Sequence, residues 1–315
     1  VEALNWKVGV GALVLLSCVL GLCAGCEQPD RESGDKADAA DTVAPEATQA
    51  RASSPMRLAD LDGAKVAYLD TGRGRQTVVL IHGWASDHGV WRRQIDALST
   101  SHRVLAVDLP GHGKSTEPAG DYSMDLFASG IAAVMDDAGV DRAFLVAHSN
   151  GVPAVRQFYR KYPGRTAGLV LVDGALRKMF EDSMVEGFLS RFRGEEYRGH
   201  VAKIVDMMPP FELTDEQRTE IREMAVAQPQ HAIVGGMHAA FDAAIWKEDP
   251  IDVPLLVVLA AQPAWTQEYE SFVRQIAPQV DYRVLTGVSH FLMIERSGFF
   301  NEMLSEFLDQ NRTSR

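Results

Sequence analysis

The segment Ala147-His148-Ser149-Asn150-Gly151 places a serine between two small residues, one two positions before it and one two positions after. It follows a short apolar run at 144–147 and opens a helical pattern near residue 152. A serine at a sharp strand-to-helix turn is pushed out of the sheet, and small flanking residues keep that turn free of collisions. Such a serine suits nucleophilic attack on a carbonyl, with the backbone N–H of Asn150 placed to receive the oxyanion. Glycine more often fills the first small position; Ala147 adds one methyl group. The bland alternative is a buried serine in an ordinary turn. A neutral hydroxyl attacks poorly, so a base must take its proton as the new bond forms. Nine histidines compete for that role. His290, in Gly287-Val288-Ser289-His290-Phe291, follows the last strand-like run and precedes an amphipathic C-terminal helix. It is a candidate for the general base, and then the acid toward the leaving group.

The elements that must position these residues follow from periodicity. Strand-like runs occupy 66–70, 77–82, 104–108, 144–148, 169–173, 255–260 and 282–285, and helical patterns fill 90–98, 124–138, 152–162, 266–276 and 299–311. Continuous apolar runs such as Val78-Val79-Leu80-Ile81 and Leu169-Val170-Leu171-Val172 suit strands covered on both faces. Strands alternating with helices predict an α/β fold with a mostly parallel sheet. Residues 177–245 break the rhythm with helices alone, interrupted at Pro209-Pro210 and Pro229. This insertion carries Met179, Met184, Met207, Met208, Met224 and Met237. A methionine-rich apolar surface adapts to varied ligands, so a lid over a hydrophobic pocket is expected. Plain packing between insertion and core would use the same residues.

Four segments in this order and spacing resemble the α/β-hydrolase superfamily over about residues 56–311: His82-Gly83-Trp84, Asp108-Leu109-Pro110-Gly111-His112-Gly113-Lys114-Ser115, the serine turn, and the segment around His290. The resemblance implies a second oxyanion donor, the backbone N–H of Trp84. It also makes His82 and His112 structural turn residues, leaving His88, His102, His200, His231 and His238 to the surface or lid. Most members place an aspartate just after the seventh strand, but 255–265 contains no carboxylate. Glu268 and Glu270 are nearest, inside a predicted helix. Other members take the acid from the end of the preceding strand, where this chain has Asp173. Neighbouring strands are about 4.8 Å apart, so the displacement is geometrically small. Asp173 is the expected acid, although Asp followed by Gly also serves turns; Glu268, Glu270 or no acid at all are the alternatives.

The implied reaction is cofactor-free hydrolysis of a carboxylic ester through an acyl-enzyme. Related serine members also cleave lactones, amides and carbon–carbon bonds beside carbonyls, and show haloperoxidase-like side reactions. Serine at the nucleophile position excludes haloalkane dehalogenase and epoxide hydrolase chemistry, which needs aspartate there. A tethered, non-catalytic binding module is the alternative from a different class.

Composition narrows the rest. Hydrophobic residues are 46% and charged residues 23% of 315, enough for a large core. A net charge of −12 excludes nucleic acid as an expected partner, because phosphate binding needs clustered Lys and Arg. All three cysteines, Cys18, Cys23 and Cys26, lie in the first 26 residues, so the body of the chain has no disulfide, thiolate metal site or Cys nucleophile. No His and carboxylate cluster stands at metal-ligand spacing, and no metal is expected. Lys7, the apolar run 8–22 and Cys23-Ala24-Gly25-Cys26 resemble a bacterial lipoprotein signal, with Cys26 as the acylated residue. Cys18 as the acylated residue, an uncleaved anchor and plain secretion are the alternatives; each places the domain outside the cytoplasm. Residues 27–55 read as a disordered acidic tether, and 56–315 as the hydrolase domain with its helical cap at about 177–245.

Overall fold

The computed structural model describes residues 55–208 and 213–312. The expected leader, Cys26, nearly all of the tether and the Pro209-Pro210 break lie outside the described residues.

The strands are β1 (Arg57–Leu61), β2 (Ala64–Thr71), β3 (Thr77–Ile81), β4 (Arg103–Val107), β5 (Ala143–His148), β6 (Thr166–Val172), β7 (Leu255–Ala260) and β8 (Asp281–Leu285). They form one sheet in the order β1-β2-β4-β3-β5-β6-β7-β8. β2 runs antiparallel to β1 and β4, and every pairing from β4 to β8 is parallel. The sequence patterns anticipate seven of these strands and miss β1. In Arg57-Leu-Ala-Asp-Leu61 only Ala59 is buried, and Leu58 is exposed. An edge strand with one inward residue carries no alternation to read.

The helices are α1 (Arg92–Leu98), α2 (Met124–Asp137), α3 (Gly151–Lys161), α4 (Asp182–Leu189), α5 (Tyr197–Asp206), α6 (Asp215–Ala227), α7 (Gln230–Phe241), α8 (Gln267–Ile276), α9 (Leu292–Glu295) and α10 (Ser297–Gln310). Strands β5, β6 and β7 are buried at every position, because helices cover both faces. Phe127, Ile131, Phe158, Tyr269 and Val273 of α2, α3 and α8 pack on one face. Trp91, Leu98, Phe300 and Leu304 cover the other, together with residues of α4–α7.

All-parallel pairing puts the carboxyl ends of β3, β5, β6 and β7 along one edge, where ligands of open α/β sheets bind. Helices α4–α7 lie between β6 and β7 in chain order. Their outgoing limb is held where Leu176 N donates to Tyr269 Oη at 2.9 Å and Arg177 pairs with Glu268 at 3.1 Å. The return limb is held by α3: Arg156 and Arg160 pair with Asp249 at 2.9 and 2.8 Å, and Arg160 also donates to Ile245 O and Lys247 O.

Candidate active site

Ser149 follows the last residue of β5 with φ of 51°, a left-handed backbone uncommon outside glycine. Its amide donates to Val172 O at 2.8 Å, which pins the turn to β6. A Cβ on Gly151 would fall 2.5 Å from His82 O, so the start of α3 admits only glycine. The 82–84 turn lies against the same serine, since a Cβ on Gly83 would come 2.9 Å from Ser149 Cβ.

His290, in the loop after β8, bridges two residues 141 and 117 positions away. Its Nε2 is 2.9 Å from Ser149 Oγ, and its Nδ1 is 2.6 Å from Asp173 Oδ2. A carboxylate only accepts, so Nδ1 carries the proton and Nε2 is free to accept from the serine hydroxyl. Asp173 is 1% exposed and holds φ of 44°. Its other oxygen, Oδ1, accepts from Ala260 N at 2.9 Å and from the Trp265 indole N–H at 3.1 Å. The alternative acids face elsewhere. Glu268 is exposed and pairs with Arg177, and Glu270 pairs with Arg274 on its own helix.

Trp84 turns its side chain toward the insertion. Its indole donates to Ile233 O at 2.8 Å, and its ring meets Phe192 edge-on at 5.3 Å. Asn150 caps the start of α3, lines the cavity beside Ser149, and donates through its side chain to Gly236 O at 3.0 Å.

His148 is the last residue of β5, directly before Ser149. It is buried, its Nε2 lies 2.9 Å from the carbonyl oxygen of His290, and the two rings are 4.6 Å apart. Donation to that carbonyl requires the Nε2–H tautomer. Burial, reinforced by the neighbouring His290, holds its pKa well below the ordinary range, so it stays neutral. Its adjacency to the serine was the one available signal.

Two expectations about histidine are corrected. His102 is buried rather than superficial. Asp87, His88 and Asp108 do form a compact cluster, with possible ligand atoms within 4.8 Å of one another. Sequence spacing hid it because Asp108 is 20 residues from His88. Its atoms are already engaged: Asp108 accepts from His88 Nδ1 at 2.7 Å and from the amides of His88 and Lys114, while Asp87 accepts from Gly89 N and Gln228. Burial raises the Asp108 pKa, but the hydrogen bonds and charge of His88 outweigh it and hold the carboxyl below its usual range.

Ser149 opens on a cavity of about 90 Å³. Its walls are Phe180, Phe188, Phe241, Trp246, Ala240 and Pro153. Of the six insertion methionines only Met179 and Met237 reach it, whereas Met207 points to solvent. The wall is thus more aromatic than methionine-rich. Phe241 meets Phe180 edge-on at 4.5 Å and Phe188 at 5.8 Å.

Comparison with known proteins follows the same lines. The family model described as alpha/beta hydrolase fold matches residues 76–297. A dihydrolipoyllysine-residue acetyltransferase component of the acetoin cleaving system of Cupriavidus necator is 30% identical over 198 residues, 63% of this chain and 52% of that protein. The match therefore spans about half of that relative's length. A non-heme chloroperoxidase of Kitasatospora aureofaciens is 29% identical over 278 residues, 79% of this chain and 98% of that one. Among solved structures, an esterase of Thermogutta terrifontis superposes with a TM-score of 0.74 at 24% identity, covering 82% of this chain and 100% of that one. An enol-lactonase of Burkholderia xenovorans gives 0.71 at 24% identity, with 80% and 100% covered. At these identities the two structures show a shared fold.

Proposed function

The chain belongs to the alpha/beta hydrolase fold family, and from that premise we propose that it is a serine hydrolase of neutral, hydrophobic carboxylic esters, lactones included. The observation that carries this is His290, within hydrogen-bonding distance of Ser149 Oγ on one side and Asp173 Oδ2 on the other.

Ser149 Oγ attacks the carbonyl carbon while His290 Nε2 takes its proton. The oxyanion forms beside the backbone N–H groups of Asn150 and Trp84, each worth about 3–4 kcal/mol in the transition state. Asp173 Oδ2, against His290 Nδ1, steadies the imidazolium. His290 then protonates the departing alkoxide, and a water activated by the same nitrogen cleaves the acyl-enzyme. No step requires a cofactor.

The cavity supports the substrate class. Among the described residues lining it there is no lysine or arginine. A substrate carboxylate buried there would go unpaired, at a large desolvation cost. This argues against dianionic substrates of the kind named for the relative from Burkholderia vietnamiensis, a 2-hydroxy-6-oxononadienedioate hydrolase 27% identical over 277 residues. An apolar acyl group meets no such cost. The membrane-anchored location rests on the sequence around Cys26, and Cys26→Ala is expected to release the protein from membranes.

The test is a chain-length series of nitrophenyl esters together with a fluorophosphonate probe, on the wild type and Ser149→Ala. The wild type is expected to be labelled and to turn over, and Ser149→Ala to do neither. A wild type that is neither labelled nor active would leave a ligand-binding module as the better account.

A further inference from the structure

The loop after β7 lacks the acid that the sequence pattern leads one to look for there, yet it is not idle. Residues 261–265 read Ala-Gln-Pro-Ala-Trp. They fold into a tight turn, closed by Trp265 N donating to Gln262 O at 3.1 Å, that leads into α8. Thr266 caps that helix by accepting from Tyr269 N, and the rings of Trp265 and Tyr269 lie 4.8 Å apart. The indole is 9% exposed and held from two sides. Its N–H reaches Asp173 Oδ1 at 3.1 Å, beside the amide of Ala260 at 2.9 Å.

We propose, resting on the serine-hydrolase reading above, that Trp265 is a positioning residue for the catalytic acid. The terminal torsion of an aspartate is broad and roughly two-fold, so an unrestrained carboxylate can turn away from its partner. Two N–H donors on Oδ1 hold that rotation and leave Oδ2 facing His290 Nδ1. An indole N–H only donates, so Oδ1 is held as an acceptor and stays turned away from His290. It is also neutral. An arginine or lysine in its place would cancel the negative charge that the imidazolium needs during attack. The loop after β7 thus supplies a donor for an acid carried one strand away.

The test compares Trp265→Phe with a variant carrying benzothienylalanine at 265, in which sulfur replaces the indole N–H and the shape is kept. Asp173→Asn is measured beside them, with a nitrophenyl ester as substrate. Loss of a hydrogen bond to a charged acceptor predicts a fall in kcat of about ten-fold to a hundred-fold in both Trp265 variants, with KM unchanged. If the benzothienyl variant keeps the wild-type kcat, whatever Trp265→Phe does, the side chain only packs and the proposal is overturned. If Asp173→Asn itself keeps the wild-type kcat, the triad assignment fails instead. The two failures are therefore distinct.

Discussion

Ser149 and Asp173 occupy the same kind of turn one strand apart. Each follows a fully buried parallel strand, with φ of 51° at Ser149 and 44° at Asp173. Each donates its amide to the neighbouring strand at 2.8 Å, Ser149 to Val172 O and Asp173 to Val258 O. Left-handed backbone in a non-glycine residue costs on the order of 1–3 kcal/mol and persists only where the surroundings enforce it. What sets Asp173 apart from an ordinary Asp-Gly turn is the use of its oxygens, Oδ2 by His290 and Oδ1 by Ala260 N and the Trp265 indole.

Asp173→Asn is expected to lower kcat by on the order of 10³ to 10⁴ through loss of the charge and of the correct imidazole tautomer. Asparagine tolerates the left-handed region, so the melting temperature should hardly move. Glu268→Gln should leave the rate intact, because that carboxylate faces Arg177. Steady-state kinetics on both variants decides the matter. The reverse pattern would transfer the acid role to Glu268.

Gly83→Ala tests how tightly the 82–84 turn is set against the nucleophile. The added Cβ would lie 2.9 Å from Ser149 Cβ and 3.1 Å from His148 O, so one of them must yield. A displacement near 1 Å at a reacting group costs on the order of 10²-fold in rate. The circular dichroism spectrum should remain that of a folded protein. Wild-type turnover would show that the turn has slack.

Phe241→Ala should enlarge the cavity and shift the preferred nitrophenyl ester toward longer acyl chains. Phe241 is only partly buried, so the stability cost should stay below about 3 kcal/mol, the lower end for phenylalanine truncations. An unchanged chain-length profile would mean that the acyl group does not meet this wall.

Stability should fall as pH drops below about 6.5, the ordinary histidine value. Burial, and then the charge of His82, push His112 down to about 3. Burial likewise lowers His82 and His148. Between about 3 and 6.5 the unfolded chain binds a proton at residue 112 that the folded chain does not, so acid favours unfolding. At pH 5 this amounts to about 2 kcal/mol from His112 alone, at 1.36 kcal/mol per pH unit. His88 acts in the opposite sense: burial lowers its pKa, but Asp108 outweighs burial and raises it. Its stabilisation is present below about 6.5 and fades above its raised pKa. Urea unfolding from pH 5 to 7 should therefore show a slope that His112→Asn flattens. An unaltered slope would mean that His112 is protonated in the folded protein.

What the sequence made legible was local. The serine turn is contiguous, and His290 lies in one of the segments that carry the resemblance to the superfamily, so both stand out as candidates without any contact being known. Asp173 could be named only among alternatives, because what distinguishes it from Glu268 is a hydrogen bond across 117 residues. The cluster of Asp87, His88 and Asp108 was invisible for the same reason. The aromatic wall was missed because Phe180, Phe188, Phe241 and Trp246 are scattered through the insertion, and only its folding brings them together. β1 escaped because an edge strand with one buried residue has no periodicity to detect.

The insertion is riveted to the rest of the domain at its two ends, Leu176 and Arg177 on α8 and Ile245 to Asp249 on α3, and between them it touches the candidate site where Trp84 donates to Ile233 O and Asn150 to Gly236 O. Neither rivet uses a residue of the triad. The middle of the insertion therefore bears on Trp84 and Asn150, the residues on either side of Ser149 whose amides are proposed as oxyanion donors. A change in the helices of the insertion can thus be felt on both sides at once, at the aromatic wall it builds and at the turns that frame the serine.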